Sequence, residues 1–222
     1  LGVCFDGDAD RCIVTDEAGS IIGCDHLTAL LCEHFLKQAP RSTVVYDLRS
    51  SKVVQEQINR LGGLPQRSRV GHVFMKAGLR QTNGIFGGEL SGHFYFRDNF
   101  FADSGAIALA TVLSVMDAEN KTMSELIAPF KKYPQSGEVN FQVEDKDAVI
   151  AALVSQFGAG AVTDDLDGIT IDAFAARGWW FNVRPSNTEP LLRLNAEAKD
   201  DATLKILMDQ ITPHLGRPRP GH

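Results

Sequence analysis

Three carboxylates stand at alternate positions near the start of the chain: Asp6, Asp8 and Asp10 in Gly2-Val3-Cys4-Phe5-Asp6-Gly7-Asp8-Ala9-Asp10-Arg11. Like charges this close repel, and a loop keeps them together when a cation or a nearby guanidinium such as Arg11 offsets the repulsion. Hard oxygen donors in this number favour Mg²⁺ or Ca²⁺ over Zn²⁺. An EF-hand also needs Asp at its first, third and fifth loop positions. Here Arg11 fills the sixth, where the sharp turn requires Gly, and residues 1–5 are strand-like rather than helical. A phosphatase with an aspartyl nucleophile would place Asp6-Gly7-Asp8 after an apolar strand in the same way, with Thr or Val expected in place of Asp10. A solvated acidic turn is the remaining reading.

Two later stretches carry similar concentrations of chemistry. Gly87-Gly88-Glu89-Leu90-Ser91-Gly92-His93 sets an acid, a hydroxyl and an imidazole between glycines. In extended chain alternate residues share a face, so Glu89, Ser91 and His93 are expected to point the same way and to suit the hydroxyls of a sugar. A hairpin turn with surface polar groups competes with that reading. Arg184-Pro185-Ser186-Asn187-Thr188-Glu189-Pro190 offers a guanidinium, hydroxyls, an amide and backbone N–H groups between two prolines, an arrangement suited to a phosphate; a plain turn is the alternative. Arg49 follows a predicted strand, and His72 and Lys76 lie in Gly71-His72-Val73-Phe74-Met75-Lys76.

The elements that must position these loops alternate. Strand patterns are predicted at 1–5, 12–15, 21–23, 42–47, 84–88 and 94–96. Helices are predicted at about 27–38, capped by Asp25, at 53–61, capped by Ser50 or Ser51, at 74–81, and at 105–118, started by Asp103. This order predicts an α/β fold with a mixed sheet and helices on both faces. The turn-rich 133–137 is the expected boundary to a smaller α+β module, with strands at 138–143, 168–174, 179–183 and 191–196 and helices at 145–156 and 200–215. The tail from Gly216 is expected to fray.

The 222 residues with 44% hydrophobic content can bury one large or two modest cores. The formal charge of -6 speaks against nucleic acid or an anionic membrane as the main partner, and no apolar run approaches the roughly 20 residues of a membrane span. The four cysteines, Cys4, Cys12, Cys24 and Cys32, form no Cys-x-x-Cys pair and read as small core residues of a reduced, cytoplasmic protein.

Taken together, the acidic loop with Arg11, Gly71-His72, Gly88-Glu89-Leu90-Ser91-Gly92-His93 and Arg184-Pro185-Ser186-Asn187-Thr188-Glu189-Pro190 resemble the α-D-phosphohexomutases, of the bacterial phosphomannomutase/phosphoglucomutase kind, in order and spacing over essentially the whole chain. The resemblance implies four domains around one cleft. A phosphoserine would exchange a phosphoryl group with a hexose 1- or 6-phosphate by way of a hexose 1,6-bisphosphate. It makes Asp6, Asp8 and Asp10 the ligands of Mg²⁺ and has Arg11 help hold the phosphoserine. It places Glu89 and Ser91 on sugar hydroxyls, with His93 supporting their loop and Lys76 beside the substrate. Arg184, Ser186, Asn187 and Thr188 would grip the non-reacting phosphate, and His72 would be the acid/base candidate. Arg49 stands where relatives carry a Lys; Arg keeps the positive charge but makes a poor proton shuttle.

On the same resemblance, residues 1–20 would close the second domain and carry the metal loop. Residues 21–132 would be the sugar-binding third domain, and 133–222 the phosphate-binding fourth. The family's phosphoserine motif, of Ser-His-Asn-Pro type, does not occur in the sequence, and the first residue is Leu in mid-strand. The expectation is therefore a piece of a mutase that lacks its N-terminal domains and is inactive alone; a short protein that only binds phosphosugars is the alternative. Glucosamine-specific members tend to carry Gln where this chain has Leu90 and Gly where it has Asn187, so mannose and glucose phosphates are the expected substrates and phosphoglucosamine mutase the second choice.

Overall fold

In the computed structural model, which describes residues 1–186 and 191–219, the chain divides into two units, Leu1–Lys132 and Tyr133–His222. The first begins with an antiparallel hairpin of β1 (Gly2–Phe5) and β2 (Cys12–Thr15), whose turn is the acidic loop. There follow α1 (Cys24–Gln38), β3 (Thr43–Asp47), α2 (Lys52–Arg60), β4 (Leu64–Ser68), α3 (His72–Thr82), β5 (Phe86–Gly88), β6 (Phe94–Phe96), β7 (Ala102–Asp103), α4 (Gly105–Glu119) and α5 (Met123–Ile127). The sheet has the order β4-β3-β5-β6-β7; β3 runs parallel to β4 and β5, and the last two pairings are antiparallel. It is the mixed sheet that the α/β pattern predicts.

Strand alternation divides its two faces. Val44, Tyr46, Phe86, Phe94 and Phe96 pack with α1, α2, α4 and α5, and Cys12 and Val14 of β2 join that core. Val45 and Tyr95 point the other way and meet Met75 and Leu79 of α3. Phe35, Phe86 and Phe96 hold the larger core with ring centroids 4.7–5.7 Å apart, the spacing of favourable aromatic pairs.

Two helix caps differ from expectation. Asp25 does not cap α1, which begins one residue earlier; its fully buried carboxylate accepts from the N–H of Ser51 at 3.0 Å, joining the head of α1 to that of α2. Ser51 caps α2, accepting from Val53 N. Ser104, not Asp103, caps α4 by accepting from Ile107 N, which leaves the Asp103 carboxylate for other partners.

The second unit contains β8 (Gln135–Gln142), α6 (Lys146–Phe157), β9 (Val162–Asp164), β10 (Ile169–Asp172), α7 (Phe174–Arg177), β11 (Trp179–Pro185), β12 (Leu191–Ala198), α8 (Asp201–Leu215) and β13 (Pro218–Arg219). Its sheet is antiparallel throughout, in the order β13-β8-β12-β11-β10-β9. The expected boundary turn at 133–137 falls at the division between the units, but from Gln135 it is already β8, and the tail does not fray at 218–219 but pairs with β8. Trp179, Phe181, Val183, Leu192 and Leu194 pack with Leu153 and Phe157 of α6 and Leu207 and Ile211 of α8. The alternate residues Asn182, Arg184, Arg193 and Asn195 line the opposite face.

Cys12, Cys24 and Cys32 are buried as expected, whereas Cys4 is exposed, on a strand that buries none of its residues among the described ones. Burial pushes the Cys12 thiol from 9.0 up to about 11 and the Cys24 thiol up to about 12. Above pH 9 the unfolded chain releases thiol protons that the folded chain still keeps, so stability falls as pH rises through that window. In the native protein iodoacetamide is expected to label Cys4 alone, the other three reacting only in denaturant, with the urea midpoint declining above pH 9. Native labelling of Cys12 or Cys24 counts against this packing.

Candidate functional site

The ligand oxygens of Asp6, Asp8 and Asp10 lie within 4.8 Å of one another at the turn between β1 and β2. Arg11 lies across the loop, its Nε 3.0 Å from Asp6 Oδ2 and its backbone N–H donating to Asp6 Oδ1. The loop is held from two sides. Gly105, at the start of α4, lies so close that a Cβ there would come within 2.8 Å of the Ala9 and Arg11 carbonyl oxygens. On the other side Cys12 N–H donates to Gly92 O, and Arg11 pairs with His93 across an isolated bridge. The acidic loop and the 88–93 loop are therefore neighbours through backbone bonds.

The 88–93 segment is the glycine-rich turn expected after the strand ending at Gly88, and its tightness replaces the extended alternation by which Glu89, Ser91 and His93 were to share a face. Glu89 N–H donates to His93 O and Gly92 N–H to Glu89 O, with Gly92 at φ 96°, where a Cβ would be strained. Ser91 and His93 still meet, Oγ to Nδ1 at 2.9 Å, because the turn folds them together. Glu89 is buried rather than displayed; its Oε2 accepts from Tyr95 OH at 2.9 Å, and its Oε1 lies 3.7 Å from Arg49. Burial, then the Glu89 charge, pushes the Tyr95 phenol far above its ordinary range, so it remains a donor.

Asp47, at the carboxyl end of β3, is the residue that sequence reasoning missed and on which this loop depends. Its fully buried carboxylate accepts from Arg49 N, Arg49 Nε and Arg49 Nη2 and, at 2.7 Å, from Leu90 N in the turn. An acid ending a predicted strand two residues before Arg49 was the available signal, since ligands gather at strand ends. Lys76 joins the cluster from α3, with Nζ 2.8 Å from Asp103 Oδ1. His93 Nε2 lies 3.4 Å from Asp10 Oδ1 and 4.0 Å from Asp103 Oδ2. His72 stands apart as the exposed first residue of α3 and, among the described residues, makes no hydrogen bond to the others.

The second unit holds its own polar cluster. Arg184 and Arg193 face each other across β11 and β12, and Glu138 of β8 takes both, at 2.8 Å from Arg184 Nη2 and 3.0 Å from Arg193 Nη1. Arg193 Nη2 also donates to Ser186 Oγ at 3.3 Å. Arg184 Nε is buried without a hydrogen-bond partner among the described residues. Glu138 and Arg193 were not among the expected site residues; their pairing depends on strand register, which the sequence does not state. Asn187 and Thr188 lie outside the described residues.

Residues 24–133 match the family described as phosphoglucomutase/phosphomannomutase, alpha/beta/alpha domain III, and residues 138–214 its C-terminal domain. A phosphomannomutase of Methanocaldococcus jannaschii is 45% identical over 95% of this chain and 46% of its own length. A phosphoglucomutase/phosphomannomutase family protein of Burkholderia thailandensis superposes with a TM-score of 0.84 at 29% identity, covering 96% of this chain and 46% of that one. An Aspergillus fumigatus N-acetylphosphoglucosamine mutase, solved in complex with GlcNAc-6P and magnesium, shares the fold with a TM-score of 0.72 at 14% identity over 97% of this chain and 52% of its own. The chain spans about half the length of the relatives it matches. With both family domains covering most of its residues in order, the chain belongs to the phosphoglucomutase/phosphomannomutase family, the α-D-phosphohexomutases.

Proposed function

We propose that the protein to which this chain belongs interconverts hexose 1-phosphates and hexose 6-phosphates of mannose and glucose by way of a hexose 1,6-bisphosphate. The observation that carries the reading is the backbone-bonded pairing of the acidic loop with the Glu89–His93 turn, which sets a cation site beside a sugar-sized set of polar groups. In this reading residues 1–20 end a second domain, 21–132 form the sugar-binding domain and 133–222 the phosphate-binding domain. The phosphoserine that carries the reacting phosphoryl group would lie outside these 222 residues.

Asp6, Asp8 and Asp10 fit a hard divalent ion by donor type and spacing, and they would hold Mg²⁺. When bound, the ion would neutralise charge on the transferring phosphoryl group. The chain's own residues do the positioning. Arg11 orients Asp6 and presents its guanidinium at the loop, 49% of its side chain exposed and open to a phosphate. Asp47 and Tyr95 fix the turn that carries Glu89, Ser91 and His93 toward the sugar. Arg49, held by Asp47, supplies buried positive charge and not a proton. Lys76 borders the turn, and His72, exposed at the head of α3, is the proton carrier of this reading. Arg184, Ser186, Asn187 and Thr188 take the phosphate that does not react.

The test is kcat/KM of the full-length protein for mannose, glucose and glucosamine 1-phosphates, with and without Mg²⁺, beside the 222-residue chain alone. Mannose and glucose 1-phosphates are expected to turn over within the modest ratio allowed by a site that leaves the 2-position unread. Glucosamine 1-phosphate should trail, and the chain alone should be inert. A lead for glucosamine 1-phosphate would indicate phosphoglucosamine mutase, and sustained turnover by the chain alone would overturn the assignment of the phosphoryl carrier.

A further inference from the structure

We propose that Asp10, His93 and Asp103 form a second metal site, one that shares Asp10 with the triple-aspartate loop but adds an imidazole nitrogen, selective for a transition ion of the Zn²⁺ class. The three offer one nitrogen and two oxygens within 4.8 Å of one another, drawn from the acidic loop, the start of β6 and the end of β7.

The separation of Asp10 and His93 is the first argument. His93 Nε2 and Asp10 Oδ1 are 3.4 Å apart, too long for a good N–H···O bond, and Asp10 Oδ1 is buried without any hydrogen-bond partner among the described residues. Two ligands each about 2.0–2.1 Å from a tetrahedral ion lie about 3.3–3.4 Å apart, so the gap that fails as a hydrogen bond fits an ion bound between them. An orphaned carboxylate oxygen facing an imidazole nitrogen at that distance is a donor pair waiting for a Lewis acid.

The groups behind the ligands point the same way. With Nδ1 protonated, His93 donates to Ser91 Oγ at 2.9 Å, which fixes the ring and leaves the Nε2 lone pair for the ion. Asp103 spends Oδ1 on Lys76 at 2.8 Å and keeps Oδ2, the oxygen facing His93 at 4.0 Å. Glu89 Oε2 lies 3.8 Å from Nδ1 and reinforces the same tautomer. The His93 and Asp103 side chains are 13% and 9% exposed and that of Asp10 37%, so solvent reaches the cluster on the Asp10 side and a water can be the fourth ligand. An imidazole in the set favours Zn²⁺, Co²⁺ or Ni²⁺ over Mg²⁺, which takes oxygen donors.

The test uses the metal-free chain titrated with Zn²⁺ in the presence of excess Mg²⁺, and Co²⁺ as an optical probe. One equivalent of Zn²⁺ is expected to bind, and His93→Gln and Asp103→Asn should each weaken it at least about tenfold, the lower bound reported for losing even the hydrogen bond behind a ligand. Asp8→Asn should weaken Mg²⁺ without weakening Zn²⁺. Co²⁺ should give the intense visible absorption of a four-coordinate ion. In the wild-type chain it should also give one paramagnetically shifted imidazole N–H, a readout that needs no variant to fold. Zn²⁺ binding that survives His93→Gln, or that Asp8→Asn abolishes, places the ion on the acidic loop and overturns the proposal. So does the absence of a shifted imidazole proton in the Co²⁺ protein. Each of these results is independent of whether the full-length protein is a mutase.

Discussion

Asp47→Ala is expected to destabilise the first unit by about 3–5 kcal/mol, the cost of removing one partner of a buried charged pair. The carboxylate is fully buried and bonds Arg49 through one backbone and two side-chain N–H groups. It also accepts from Leu90 N, 43 residues away in sequence. Deleting it takes the bidentate carboxylate partner from a guanidinium only 8% exposed, which has Glu89 at 3.7 Å, and frees the Leu90 N–H in a part-buried turn. Asp47→Asn keeps the shape and one acceptor oxygen, so it should lose less, yet still more than a surface change. Urea unfolding followed by far-UV circular dichroism measures both. Tryptophan fluorescence is the wrong probe, because Trp179 and Trp180 both lie in the second unit. A loss below about 1 kcal/mol for Asp47→Ala would mean that water replaces the carboxylate, and that the turn carrying Glu89, Ser91 and His93 is fixed by its glycines alone.

That carboxylate also marks where sequence reasoning ended. Apolar period and turn residues locate β3, β5 and β6 well, because Val44, Tyr46, Phe86, Phe94 and Phe96 must share a face and the chain offers few ways to do it. The same reasoning assigns a lone acid to a cap or to solvent, which is its usual fate, so it makes Asp25 a cap and gives Asp47 no role beyond ending a strand. Both are buried acceptors for N–H groups far along the chain, Ser51 and Leu90, and nothing local announces such a partner. The shortest edge strands, β7, β9 and β13, were missed for a related reason. Two or three residues show no alternation, and Pro218 reads as loop until β8 presents an edge that a strand-end proline can border.

At the site, residue types were legible and conformation was not. Asp6, Asp8 and Asp10 do converge, as their spacing requires. Glu89, Ser91 and His93 converge through a turn, where the extended reading would have arrayed them along a strand, and the turn buries Glu89 against Tyr95. Tyr95 was hidden by its neighbours: between Phe94 and Phe96 it looks like one more apolar ring, and only the alternation of faces sets it against α3 with its hydroxyl on Glu89. Arg184 was legible from its loop, but its partners across the sheet were not, and they decide what it can bind.

Arg184→Ala is expected to weaken binding of hexose phosphates to the full-length protein by about 2–4 kcal/mol, the range for truncating one partner of a desolvated charge pair. In the second unit Arg184 lies directly opposite Arg193, an arrangement that is unfavourable by itself, and the carboxylate of Glu138 is shared between them at 2.8 and 3.0 Å. Arg184 is 6% exposed and keeps its Nε buried without a partner among the described residues, beside the Ser186 hydroxyl that Arg193 already touches. A phosphate would supply an acceptor for that Nε, and its fork geometry suits Arg better than Lys. Arg184→Lys should therefore recover only part of the loss. Removing Arg184 also relieves the cross-strand repulsion and leaves Glu138 with Arg193, so the fold should survive, and calorimetry can compare glucose 1-phosphate with glucose on an intact protein. The sugar without phosphate should bind Arg184→Ala as it binds the parent. If both ligands lose affinity equally, Arg184 serves the sheet through Glu138 and the anion is held elsewhere.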